Sequence, residues 1–161
     1  MLTLPLLAAA ILAAAPADTV WWRSDAGTVI GHHSSGGLTC TLTLDGGSTE
    51  ARFVWSSGLP TRAVIQNPSW RFQPGSFLNL AVQIGPAWLG GGNGAPNIPA
   101  LTGPSSLMFV AADGVDDLLR QARRLRVAAP VPDAEIVVSA GKMEALIAGL
   151  ERCRRHIPAA G

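Results

Sequence analysis

Two cysteines carry the only definite covalent chemistry that residue type and spacing suggest in this chain. Cys40 stands in Leu38-Thr39-Cys40-Thr41-Leu42-Thr43-Leu44, where alternation puts it on the same strand face as the leucines. Cys153 follows Met143, Leu146, Ile147 and Leu150 at the three-and-four spacing of one helical face. Both thiols therefore belong to core faces, where a strand and a helix can be stapled or two free thiols can be buried. Neither stands beside a candidate base, so a catalytic thiol is disfavoured.

The other reactive groups do not assemble into a motif. His32 and His33 precede Ser34 and Ser35, but a nucleophile and its base normally come from distant segments. Adjacent histidines on a strand also project to opposite faces, with no nearby Cys, Asp or Glu at a zinc spacing, so no metal is expected. Gly141-Lys142 at a helix start lacks the glycine of a phosphate loop, Ile136 standing in its place, and Met143 replaces the required Ser or Thr. Gly90 to Gly94 is followed by Ala95-Pro96 instead of an opening helix, so it is no dinucleotide fingerprint. No serine sits in Gly-x-Ser-x-Gly. Asp25, Asp45, Glu50 and Asp113 could meet in space as a carboxylate pair, but nothing selects two of them. No cofactor is implied.

Binding candidates are more visible than catalytic ones. Pro86 to Ser106 is rich in glycine and proline and reads as a long loop carrying Trp88 and Leu89, a candidate binding lip. Arg120, Arg123 and Arg124 lie off the apolar stripe of a helix formed by Val115, Leu118, Leu119, Ala122 and Leu125, as a second candidate surface. Trp21, Trp22, Trp55 and Trp70 fall in patterned segments and read as core.

The elements that position these groups begin with a leader. Met1 to Ala17 is apolar apart from Thr3 and ends in Ala15-Pro16-Ala17, the pattern of a secretory signal peptide cut before Asp18, although no Lys or Arg follows Met1. Its ten unbroken apolar residues from Leu6 fall short of the roughly 20 that span a bilayer, so no stable membrane span is expected after cleavage. Export makes two cysteines one expected bridge, Cys40 to Cys153. Residues 18–161 then suit a single domain, and a formal net charge of +1 with mixed signs gives no pull toward nucleic acid.

Along residues 18–161 the spacing predicts a loop-like opening with at most a short strand at Thr28 to Ile30. A hairpin turns at Asp45-Gly46-Gly47, and short strands follow over Arg62 to Gln66, Trp70 to Gln73 and Phe77 to Ile84. Leu107 to Ala112 reads as a central strand, Asp113 as the cap of the first helix, and Val127 to Ala129 as a short strand. Ala134 to Val138 then turns into the final helix, capped by Ser139 or Gly141 and closed by Arg152, Arg154, Arg155, His156 and Pro158. The expected fold is α+β: an antiparallel meander packed by two late helices and one disulfide.

The ending Val138-Ser139-Ala140-Gly141-Lys142-Met143-Glu144-Ala145-Leu146, running on to Cys153, with Trp21 or Trp22 and the strand of Cys40, resembles small exported proteins of alphaproteobacteria like invasion-associated locus B. Ala140 stands where leucine is usual in them. The resemblance implies a periplasmic or secreted, mainly β domain and supplies no catalytic residues. The expectation is an exported, disulfide-stapled binding or accessory protein whose partner is a protein or cell-envelope component. The alternative is a secreted hydrolase with a site assembled from distant residues.

Overall fold

Period-two alternation governs the first half of the chain, and in the computed structural model, which describes residues 18–159, it produces five consecutive antiparallel strands. These are β1 (Asp18–Ser24), β2 (Gly27–Ser34), β3 (Gly37–Asp45), β4 (Glu50–Ser56) and β5 (Leu59–Gln66). In β3 the residues Leu38, Cys40, Leu42 and Leu44 are buried while the threonines take the other face. The predicted hairpin turn forms: Gly47 adopts φ 81°, and its N–H donates to the Asp45 carboxylate at 2.8 Å. The expected leader, residues 1–17, lies outside the described residues.

Beyond β5 come β6 (Phe77–Ile84), β7 (Ala87–Gly90), β8 (Ile98–Thr102), β9 (Ser106–Val110), α1 (Val115–Gln121), β10 (Arg124–Ala129), β11 (Ala134–Val137) and α2 (Ala140–Arg154). The meander stops at β5, because the sheet continues in the order β5-β9-β8-β6-β10-β11, with β7 also paired to β6. Every pairing is antiparallel. Eleven strands against two helices among the described residues make a sheet-dominant fold that is α+β only loosely. No helix among them is long and apolar enough to cross a membrane.

The sheet curls around its own buried face. A Cβ on Gly46, in the β3–β4 turn, would lie 2.9 Å from Ile136 Cγ1 and 3.3 Å from the Glu135 carbonyl oxygen, so β11 returns against the first strands. Phe53, Leu42, Leu44, Ile65, Leu80 and Leu107 fill the interior. Helix α2 closes it with Met143, Leu146, Ile147, Leu150 and Cys153, the face its spacing predicts. The bridge forms as expected: Cys40 and Cys153 are disulfide-bonded with their Cα atoms 6.0 Å apart.

Four local expectations are corrected. Asp18 to Ser34 makes two strands, not a loop, because β1 and β2 pair from Asp18↔His32 to Ser24↔Gly27 around a bulge at Trp21. Trp70 to Gln73 is not a strand, although Trp70 is buried. Pro86 to Ser106 is not one long loop, since Ala87 to Gly90 and Ile98 to Thr102 both pair with β6. Its Gly90 is needed for packing, as a Cβ there would lie 2.5 Å from the Ile98 side chain. Finally, the first helix neither begins on an Asp113 cap nor reaches Leu125. Gly114 is its N-cap, with no side-chain hydrogen bond, and Ala122 is already extended. Leu125 is instead held in β10 between Ile84 and Ile136, so strand pairing overrides a local helical pattern.

Candidate functional site

A cleft of about 410 Å³ opens where three distant segments meet. The end of β4 supplies Trp55 and Ser56 and the start of β5 supplies Leu59, Pro60 and Thr61; the entry to α1 supplies Asp113, Gly114 and Asp116; the end of α2 and the tail after it supply Arg154 and Ile157. This size falls in the range of small-molecule sites.

Each wall is positioned by ordinary forces. Trp55 alternates inward beside Phe53, and Thr61 alternates inward beside Ala63 and Ile65. The Ala111 N–H donates to the Thr61 carbonyl at 2.8 Å, which ties the loop before α1 to β5. Ser57 Oγ donates to the Pro158 carbonyl at 2.8 Å, holding the tail after α2 over the β4–β5 turn. Arg154 follows Cys153 directly, so the disulfide fixes the end of the helix that carries it.

Electrostatically the cleft centres on Arg154. Its guanidinium pairs with Asp116, whose side chain is only 17% exposed, and stacks over Trp55 with Cζ 5.6 Å from the ring centroid. Asp113 is exposed and makes no ion pair among the described residues. Leu59, at the mouth, is 59% exposed. The arrangement can hold a ligand with an apolar body and a polar head. It presents no nucleophile joined to a base.

The sequence-derived candidates lie elsewhere. Trp88 is half-buried on β7 opposite Gln83, and its ring covers Gly92, where a Cβ would lie 2.1 Å from Trp88 Cδ2. Leu89 packs against the core. Both lie half-buried on β7, so neither projects from a free loop. The three arginines do not share a helical face: only Arg120 is in α1, and Arg124 starts β10. Arg120 pairs with Glu151, whose hydrogen bond holds the guanidinium pKa above its ordinary value, and Arg124 pairs with Glu135. Arg123 is exposed, and its carbonyl accepts the Val138 N–H at 2.9 Å.

His32 Nδ1 lies 2.5 Å from the Asp18 carboxylate on the outer face of β1 and β2, and His33 is exposed. Among the described residues, no three His, Cys, Asp or Glu side chains group as a metal site would require. The outer sheet face also carries a cross-strand row, Val64↔Met108↔Leu101↔Phe77, ending on a phenylalanine that is 73% exposed.

Sequence reasoning missed Thr61, Asp113 as a cleft residue, Asp116 and Arg154. The available signal was faint: Leu59-Pro60 directly follows the Ser57-Gly58 turn and sets an apolar side chain at the very start of a strand, where burial by neighbours is incomplete. No protein-family model matches the chain, no curated protein matches it, and no solved structure matches it.

Proposed function

We propose that this chain is an exported, disulfide-stapled binding protein, periplasmic or secreted, whose ligand seat is the cleft between the β4–β5 turn, α1 and the end of α2. The leader-like Met1 to Ala17, the resemblance to small exported alphaproteobacterial proteins and the Cys40–Cys153 bridge support export. The observation that carries the binding reading is the fixed Arg154. Held by Asp116 below and Trp55 behind, it gives three separate segments one preorganised charged centre beside the apolar Leu59, Pro60 and Ile157. The partner is a protein or a component of the cell envelope.

Two measurements test this reading. Protein recovered from the cell envelope has an intact mass that begins at Asp18; an uncleaved form held in the membrane refutes export. A photo-crosslinking residue at Leu59 captures an envelope component, whereas the same residue at Val137, equally exposed on β11, captures none. Equal capture at both positions removes the cleft from the account.

A further inference from the structure

The bridge between β3 and α2 lies under a cover. Trp21 sits at the bulge of β1, an irregularity by which a strand re-aims a side chain. Its indole lies over Gly31 beside the disulfide: a Cβ on Gly31 would be 2.7 Å from Trp21 Nε1, 3.1 Å from Cys153 Sγ and 3.2 Å from Leu38 Cδ1. The His156 ring packs on the indole, with centroids 4.9 Å apart and planes tilted by 38°. His156 is exposed, Trp21 is half-buried, and Cys40 and Cys153 are fully buried, so the layers run from solvent to sulfur.

The indole is held by packing and not by its own polar group. Trp21 Nε1 is buried without a hydrogen-bond partner, and among the described residues it is the only side-chain nitrogen or oxygen in that state. A buried N–H with no acceptor is costly, and swinging the ring into water removes that cost. The closed position is therefore opposed by one orphan donor. The outer contacts belong to the end of α2: Arg152 Nη2 donates to the Trp21 carbonyl at 3.3 Å, and His156 Nδ1 lies 2.9 Å from the Arg152 carbonyl oxygen.

The same end of the helix carries one wall of the cleft. Cys153 and His156 lie on the side of Trp21, while Arg154 and Ile157, each one residue later, line the cleft. Opening the bridge frees the turn that sets Arg154 against Asp116 and Trp55.

We propose that the Cys40–Cys153 bridge is a redox switch on the cleft and that Trp21 is the lid that admits its reductant, a dithiol. This assignment rests on the reading of the cleft as the ligand seat. With the lid swung out, a thiolate of the dithiol attacks one bridge sulfur; the Cys40–Cys153 bond breaks, a mixed disulfide forms, and the other cysteine leaves as a thiolate that takes up a proton. The second thiolate of the reductant then displaces the remaining cysteine, which is protonated in turn, and closes the reductant's own disulfide. The bridge gains two electrons and two protons, and the dithiol loses them.

The protein spanning residues 18–161, with its bridge closed, is exposed to dithiothreitol under native conditions, and the released thiols are trapped with iodoacetamide and counted by mass. Trp21→Ala is expected to be reduced about tenfold faster than the wild type, since the sulfurs lose their cover. Trp21→Phe, which keeps a ring but has no N–H to return to water, is reduced several-fold more slowly. His156→Ala removes only the exposed outer ring and is reduced a few-fold faster, which keeps the test if Trp21→Ala fails to fold. Trp88→Ala, on β7, is unchanged. Exchange of the Leu42 and Leu44 amides, followed on the same samples, separates lid opening from global unfolding: the rise in reduction rate exceeds any rise in exchange. In the reduced wild type the amides of residues 55–61, 113–116 and 154–157 shift. Equal reduction of the wild type, Trp21→Ala and His156→Ala, Trp21→Phe as fast as Trp21→Ala, or reduction that only keeps pace with exchange in β3 overturns the lid. Cleft amides that stay in place after reduction overturn the switch and leave the cleft as a ligand seat. Failure of the Leu59 crosslink removes the seat and leaves the reduction rates, which need no ligand, to decide the lid.

Discussion

Cys40 and Cys153 join the middle of β3 to the last turn of α2 across a sequence separation of 113 residues, and both are fully buried. The bridge closes most of the described chain into one loop, leaving β1 and β2 outside it. In the chain-entropy account, a loop of that length restricts the unfolded state by about 5 kcal/mol. The double variant Cys40→Ala with Cys153→Ala is expected to lose up to that amount in reversible denaturant unfolding, with a lower midpoint. A loss below about 1 kcal/mol would show that packing of α2 alone holds the helix in place.

Two glycines of the same helix should respond oppositely to alanine. At Gly141 a Cβ would meet nothing within 4 Å, so Gly141→Ala gains helix propensity and is expected to stabilise by about 0.5 to 1 kcal/mol. At Gly149 a Cβ would lie 2.8 Å from Trp22 Cβ, because α2 approaches β1 closely there. Gly149→Ala is expected to destabilise by about 1 to 3 kcal/mol through overpacking. The sign of the difference, read from paired denaturation curves, is the test; equal effects would mean that α2 can slide away from β1.

Where periodicity and local chemistry act together, the sequence was sufficient. The alternation of Leu38 to Leu44, the Asp45-Gly46-Gly47 turn, the Met143-to-Cys153 face and the disulfide were all readable, because each depends on neighbours at most a helical turn away or on a single possible pairing. The failures share a cause. Leu125 fits a helical stripe and a strand equally well, and only its partners Ile84 and Ile136, far away in the chain, decide between them. Gly90 and Gly94 suggest looseness locally, yet Gly90 is small so that Ile98 and the Pro96 carbonyl can approach. The cleft was illegible for the same reason: Thr61, Asp113 and Arg154 come from three segments with no shared spacing, and their meeting is a property of the sheet order.

The ring of Trp88 covers the turn at Gly92, which is otherwise held by the Gly91 N–H to Pro96 carbonyl bond at 3.0 Å and the Ala95 N–H to Gly92 carbonyl bond at 2.9 Å. Trp88→Ala should therefore loosen that turn and raise the rate of native-state cleavage within residues 91–97 by a broad-specificity protease, while the global unfolding midpoint moves little. An unchanged cleavage rate would return Trp88 to the list of groups free to meet a partner.

A pH response is built into one exposed contact between the β1–β2 turn and α2. Lys142 Nζ lies 2.6 Å from the Asp25 carboxylate, and this hydrogen bond, with the attraction of the same charge, holds the Asp25 carboxyl below its ordinary pKa. A carboxyl with a depressed folded-state pKa contributes stability above its unfolded value and loses it as pH falls through the folded one. The wild type should therefore exceed Lys142→Met in unfolding midpoint at neutral pH, and the gap should close under acid conditions below the usual aspartate range. Both side chains are largely exposed, so 1 M salt, with its Debye length of about 3 Å, should also shrink the gap at pH 7. A gap that persists in acid and in salt would locate the effect in the packing of the Lys142 stem and would remove the ion pair from the account of how α2 is anchored.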